Sequence, residues 1–409
     1  MSRWFIPAAA VAAAVAIVTS GCASAGATGL GTSNGAASIV PADAVAFVAA
    51  STDLGSSRWH GIAEPLLSRF QTYAPALGGE LDVAVLPGKQ VVAFTQPQDA
   101  GKLDALAAQH GAKTRVIGGW TAIAKTSAAL DAVATATSHL ADSNVFADAM
   151  NELPGDALAR AYANGEEAAQ LLASLHASTF SGTTQFKWAA AALTSAQGGL
   201  RLQAYVQPEP GAPSAATPYR PALVDEIPAG VLAAADFQVP SGALPPQLQQ
   251  LLGKSADELG ALLGGETAIY VQPGPLMPEV TLITHPRDAA AAAAALQSLL
   301  ASVPLHGVTL VHTTIGDQFV VSTAQAAIDE LRGSGAKLSS DPSFQQAEKQ
   351  AGASEETSGF VYANVKDTLP FLQLAGVKLP RGLPNLGTVF AGGAQSNGQS
   401  TFSAFLGVG

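Results

Sequence analysis

The sequence predicts an α+β protein made of two similar halves, and three observations carry that expectation. Strand-length apolar runs alternate with helix-like stretches from residue 38 to the end of the chain. Pro87-Gly88-Lys89 breaks two Val-rich runs in the manner of a hairpin. A set of landmarks then occurs twice in the same order, which marks an internal repeat.

Val40-Pro41-Ala42 answers Ile227-Pro228-Ala229, and each leads into an apolar run. Gly78-Gly79-Glu80 answers Gly264-Gly265-Glu266, and Thr95-Gln96-Pro97-Gln98-Asp99-Ala100 answers Thr284-His285-Pro286-Arg287-Asp288-Ala289. Ile117-Gly118 answers Ile315-Gly316, Leu140 with Phe146 answers Leu338 with Phe344, and Tyr162-Ala163-Asn164 answers Tyr362-Ala363-Asn364. The offset grows from 187 residues at the first proline to 200 at the tyrosine, as insertions in loops produce. This pattern places a first α+β repeat at 38–219 and a second at 220–409, joined by a Pro-rich connector from Pro208 to Pro221.

In the first half we expect strands at 44–51, 81–86, 90–95, 113–118, 120–125 and 158–164, and a closing hairpin at 184–193 and 199–207. Helices fall at 57–75, 98–109, 127–139, 144–152 and 165–175. The second half repeats the order, with strands at 230–237, 267–272, 278–284, 308–314 and 317–323, helices at 244–263, 287–302 and 324–333, and a last strand from Thr401 to Leu406. Each half is then a mostly antiparallel sheet with helices packed on it, and the opening β-α-β-β-α-β order suggests a split βαβ start with the helices on one face.

Local chemistry explains several repeated residues. Pro97 and Pro286 suit the first position of a helix, with Asp99 and Asp288 near its positive end. Asn164 and Asn364 suit helix caps, with Glu167 and Asp367 facing the orphan amides. Tyr162 and Tyr362 read as core strand residues with one polar tip. The duplicated order, the Pro-Ala strand entry and the Leu…Phe…Tyr-Ala-Asn tail together resemble a bacterial envelope family catalogued as a domain of unknown function, family 3352. The resemblance covers about residues 38–409; it implies an exported protein and carries over no catalytic residue.

The N-terminus is a different kind of sequence. Residues 1–21 hold a basic start with Arg3, a 14-residue apolar run from Phe5 to Val18, and the small residues Thr19, Ser20 and Gly21 before Cys22. The run is short for a membrane span, which needs ~20 residues, and has the parts of an export signal. Small residues before a cysteine resemble the lipobox of bacterial lipoproteins, although Thr19 departs from the usual Leu or Val. The resemblance implies a signal peptide at 1–21, cleavage before Cys22 and acylation of its thiol, with residues 22–37 as a flexible tether. An ordinary signal peptide cleaved nearby with a free thiol left over, or an uncleaved anchor, is the alternative.

Composition excludes some functions. A net charge of −11, evenly dispersed, argues against nucleic acid, whose binders carry a basic patch. One cysteine among 409 residues excludes disulfides within the chain. Gly253-Lys254-Ser255 lacks the leading glycine of a phosphate-binding loop, Leu248 standing in its place. Ser334-Gly335-Ala336-Lys337 fits a Ser-x-x-Lys pair, but Gly333 and Gly335 argue for a turn. Seven scattered histidines, with His306 and His312 the one near pair, form no zinc spacing. We therefore expect no catalytic residue, metal or cofactor, and name Cys22 alone as a functional residue. The expected protein is a membrane-anchored lipoprotein on the outer face of the cytoplasmic membrane, reached through its N-terminal lipid and binding a lipid or an envelope protein. A structural or assembly protein without a small ligand, and a hydrolase with an unorthodox site, stay open as alternatives.

Overall fold

The structure is a computed structural model that describes residues 35–53, 56–59, 76–168, 186–212, 217–239, 260–275, 277–286, 288–302, 310–374, 386–396 and 398–408. Most of the expected helices at 57–75 and 244–263, and the expected helix at 165–175 beyond residue 168, lie outside these residues. The chain divides into two compact units, one comprising residues up to Pro213 with Ser396–Phe402, the other Ser214–Gln395 with Ser403–Gly409.

The first unit carries β1 (Ala46–Ser51), β2 (Glu80–Leu86), β3 (Gln90–Thr95), α1 (Ala100–Gln109), β4 (Lys113–Ile117), β5 (Trp120–Ala124), α2 (Ser127–Ala134), α3 (Asn144–Asn151), β6 (Ala159–Asn164), β7 (Phe186–Ala196) and β8 (Gly199–Pro208). Its strands lie in the order β4-β5-β3-β2-β1-β6-β7-β8. The second unit carries β9 (Ala233–Val239), β10 (Gly265–Gln272), β11 (Glu279–Thr284), α4 (Ala289–Ser302), β12 (Val311–Ile315), β13 (Gln318–Ser322), α5 (Gln325–Leu331), α6 (Pro342–Ala351), β14 (Gly359–Asn364), α7 (Val365–Leu374), β15 (Leu386–Ser396) and, from Ser403 onward, β16 (Gln399–Val408), whose residues up to Phe402 belong to the first unit. Its order is β12-β13-β11-β10-β9-β14-β15-β16. The class is α+β with antiparallel sheet, as expected.

The split βαβ feature exists, but not at the start. β1 pairs directly with β2, antiparallel, with Ala49 opposite Asp82. Instead β3 and β4 both run antiparallel to β5, which lies between them, with α1 as the crossover. The same holds for β11, α4 and β12 around β13. The displacement follows from the Val-rich β2–β3 hairpin, whose Gly88 and Lys89 take positive φ and close the turn before any helix intervenes.

The helices also occupy both faces, not one. Phe47, Val92, Phe94, Ala122, Tyr162 and Trp188 on one face pack with Leu130 and Val133 of α2 and Phe146 of α3. The alternate residues Leu81, Ala93 and Ile123 pack with Leu103 and Leu106 of α1 on the other. Strand period two makes this unavoidable, since both sets of residues are apolar. In the second unit the Ala-rich α4 lays Ala292 and Leu296 against Phe319 and Val321.

Caps set the helix starts. Asp99, not the first turn, is the cap of α1, accepting from the Lys102 N–H at 2.9 Å, so Pro97 stands outside the helix. Asp288 does the same for α4 through the Ala290 and Ala291 amides. Asn164 accepts from the Glu166 N–H and Asn364 from that of Asp367, whose carboxylate the Asn364 amide meets at 2.8 Å. The expected helix at 127–139 ends at Ala134, because residues 138–140 are needed elsewhere: the Leu140 N–H donates to Val40 O and the Ala42 N–H to Ser138 O. In the second unit Leu338 N–H to Ile227 O and Ala229 N–H to Ala336 O form the same contact.

Asp341 caps α6 through the Ser343 and Phe344 amides and also accepts from the Gly230 N–H at 2.9 Å. Asp341→Ala is expected to lower stability by about 1–2 kcal/mol, since it removes a cap and a tie between distant loops. An equilibrium urea titration in which the variant matches the unmodified protein would contradict this.

Candidate functional site: a buried aspartate beside a glutamate in each unit

Cys22, the one residue singled out from sequence, lies outside the described residues. What the structure brings together is a pair of carboxyl groups in each unit, at the same place in the sheet. In the first unit Glu80 and Asp82 share one face of β2. Asp82 is wholly buried, and its Oδ2 accepts the Ala36 N–H at 2.7 Å. Ala36 belongs to the 3-10 turn Gly35–Ser38, where Ala36 and Ala37 are also wholly buried. Residues 35–37, assigned to the flexible tether from sequence, are therefore packed core. Gly35 is required there: it has φ +51°, and a Cβ would lie 2.5 Å from Asp82 Oδ2 and 2.8 Å from Glu80 Oε1. Both carboxyls thus converge on one point beneath the turn.

In the second unit the pair is Asp236 and Glu266. Glu266 Oε1 accepts the Ala222 and Leu223 N–H groups at 2.6 and 2.8 Å, at the start of the 3-10 turn Leu223–Asp225. The Tyr219 hydroxyl donates to Asp236 Oδ1 at 2.5 Å. The aspartate stands on different strands in the two units. Ala49 on β1 faces Asp82 on β2, whereas Asp236 on β9 faces Ala268 on β10. One small and one acidic residue fill the same cross-strand pair in either order. The third strand differs, with Arg160 opposite Ala49 and Phe360 opposite Asp236.

Burial raises the pKa of Asp82 well above the ordinary carboxylate value, and the neighbouring Glu80 raises it further, against the Ala36 hydrogen bond. Glu80 is also raised by burial. Burial pushes Asp236 up to about 8, with Glu266 adding and the Tyr219 hydrogen bond opposing. Tyr219 itself is pushed up by burial and by Asp236. An unprotonated pair would leave Asp82 Oδ1 and Asp236 Oδ2 buried without a donor among the described residues. A proton on each pair supplies one.

The linkage has a definite sign. A carboxyl whose folded pKa is raised binds its proton more tightly when folded, so its stabilising effect is complete below the unfolded value and lost as pH rises through the folded one. For Asp236 that window runs from 3.8 to about 8. The midpoint of thermal unfolding is expected to fall by roughly 5 °C between pH 5 and pH 9, and Asp236→Asn to flatten that slope. Differential scanning calorimetry across this range checks it; equal slopes for both proteins would refute the role of Asp236.

Other sequence motifs resolve simply. Gly253-Lys254-Ser255 and His306 lie outside the described residues. Ser334 lies in irregular chain after α5, and the Lys337 amine donates to the Glu226 carbonyl oxygen at 3.1 Å. His139 lies 3.6 Å from Asp142, His285 lies 3.9 Å from Asp317, and His312 rests on Phe319. The second unit also holds a polar group that sequence reading missed. Thr281 and Ser322 share a 2.9 Å hydrogen bond beside Tyr270, and the Gln272 amide reaches Glu279 and Glu330. The corresponding ladder positions of the first unit are apolar: Ala84, Leu86, Val92 and Ala124.

Among the described residues no group of three or more His, Cys, Asp or Glu side chains is placed to hold a metal, and no helix is long and apolar enough to cross a membrane. No family model and no curated protein matches the chain. Among solved structures, one crystal form of TP0453 is similar at 8% identity with a TM-score of 0.28, over 73% of this chain and 98% of that one. A likeness so slight carries no argument about fold or function.

Proposed function

We propose that this chain is a lipoprotein of the bacterial cell envelope, anchored through Cys22 to the outer face of the cytoplasmic membrane, that binds an envelope lipid or protein without catalysing a reaction. The observation that carries the reading is the N-terminal pattern: a basic start, a 14-residue apolar run and small residues ending at the single cysteine. Two acyl chains hold firmly where one holds marginally, at ~0.8 kcal/mol per buried methylene. We also propose that the two units arose by tandem duplication. Their identical strand order and recurring landmark contacts support this.

Cys22→Ala is expected to move the protein from the membrane to the soluble fraction, or to leave its precursor unprocessed, and to abolish incorporation of labelled palmitate. A variant that stays membrane-bound and is still cleaved after residue 21 would overturn the anchor. For the ligand, native mass spectrometry of the mature protein taken from the source envelope reads cargo directly. An extra mass that extracts into organic solvent identifies a lipid, and a bare mass points to a protein partner.

A further inference from the structure

We infer that the two carboxyl pairs are proton-operated clasps on the segments through which the chain enters each unit, the turn Gly35–Ser38 in the first and residues 219–225 in the second. The two segments differ in sequence, and they are fastened at the same position of the sheet. In the first unit the turn's other hydrogen bonds among the described residues are local, such as those from the Ile39 and Val40 amides to Ala36 O, and the Ala36 bond to Asp82 ties it to β2. In the second, Tyr219 is tied through its hydroxyl to Asp236 and through its backbone to Thr357, while the Ala222 and Leu223 amides reach Glu266.

The groups that face each aspartate define what ionisation does. Asp82 meets Glu80 on its own strand, and Glu80 in turn faces Arg160 from β6, which also faces Asp156; the ladder neighbours of Asp82, Ala49 and Phe94, carry no charge. Asp236 meets Tyr219 and Glu266, and its ladder neighbours Ala268 and Phe360 carry no charge. With one proton per pair, a carboxyl and a carboxylate stand side by side, the aspartate buried and the glutamate half-buried. Loss of that proton leaves two negative charges side by side, that of the aspartate cut off from water, and like charges so close disfavour one another. The hydrogen bonds from Ala36 and Tyr219 favour the charged form, but burial and the second carboxyl outweigh them. The available relief is for the covering turn to lift and admit water. The clasp is closed when protonated and open when not, so rising pH frees the segment leading into each unit. It requires neither the anchor nor the ligand proposed above.

Hydrogen exchange on the mature protein tests this, read by mass spectrometry at pH 6 and pH 9 for peptides covering residues 35–38 and 219–225. After correction for the intrinsic pH dependence of exchange, protection there is expected to fall about tenfold or more at pH 9, while β1 and β9 change little. An Asp82→Asn, Asp236→Asn double variant keeps the shape and the acceptor without the charge and is expected to stay protected at pH 9. Should it fold poorly, Glu80→Gln with Glu266→Gln removes the opposing charge instead, with the same expectation. Unchanged protection in the unmodified protein at pH 9, or a loss that the amide variants share, would overturn the clasp.

Discussion

Replacing Phe344 with alanine is expected to destabilise the protein by about 3–5 kcal/mol, because it removes the ring around which the second unit's core is arranged. Phe344 reaches the sheet from α6 and touches three other rings, Phe360 at 5.5 Å, Tyr362 at 5.3 Å and Phe390 at 5.8 Å between centroids. The contacts with Tyr362 and Phe390 are edge-to-face, the geometry in which ring quadrupoles attract. The cavity left behind would be walled by β14 and β15, whose paired backbones cannot close over it. Phe146 has the same position in the first unit, between Phe47 at 6.0 Å and Tyr162 at 5.1 Å, and Phe146→Ala should cost about as much. Urea titration followed by far-ultraviolet circular dichroism checks both. A loss under about 1 kcal/mol for either would mean that these rings do not organise the core.

Gly165→Ala is expected to be more severe than its single added methyl suggests. A Cβ on Gly165 would lie 1.5 Å from Phe186 O and 2.5 Å from Phe186 C. These are backbone atoms at the head of β7, a strand paired on both sides, so the obstacle cannot rotate away. The backbone must shift, at a cost of about 3 kcal/mol or more. Gly155, around which a Cβ meets nothing within 4 Å, is the control, and Gly155→Ala should stay within about 0.5 kcal/mol of the unmodified protein. Thermal melts of the two variants give the comparison; indistinguishable midpoints would show that β7 yields.

The landmarks read from sequence became contacts. Val40 meets Leu140 through a backbone hydrogen bond, as Ile227 meets Leu338, and Phe146 packs on Tyr162 as Phe344 does on Tyr362. Hydrophobic period and cap chemistry placed most described strands within a few residues, because both act over one or two turns of chain. They erred where a distant partner intervened. The helix after residue 126 stops early to reach Val40, and α1 covers the face opposite α2 because the sheet is apolar on both sides.

By itself the sequence determined the alternation of strands and helices, the helix caps, the recurrence of landmarks and the position of the lone cysteine, all of which depend on residues near one another or on simple order. Only the tertiary structure decided where the acids matter. Asp82 and Asp236 look like any polar residue on a strand, and nothing local separates them from exposed Asp99. Their burial comes from turns 46 residues away for Asp82 and, across the pair, 44 residues from Ala222 to Glu266. The exchange of Ala49 and Asp82 for Asp236 and Ala268 becomes visible only in the register of the paired strands. Desolvation depends on what lies over a group in space, and chain order does not carry that information.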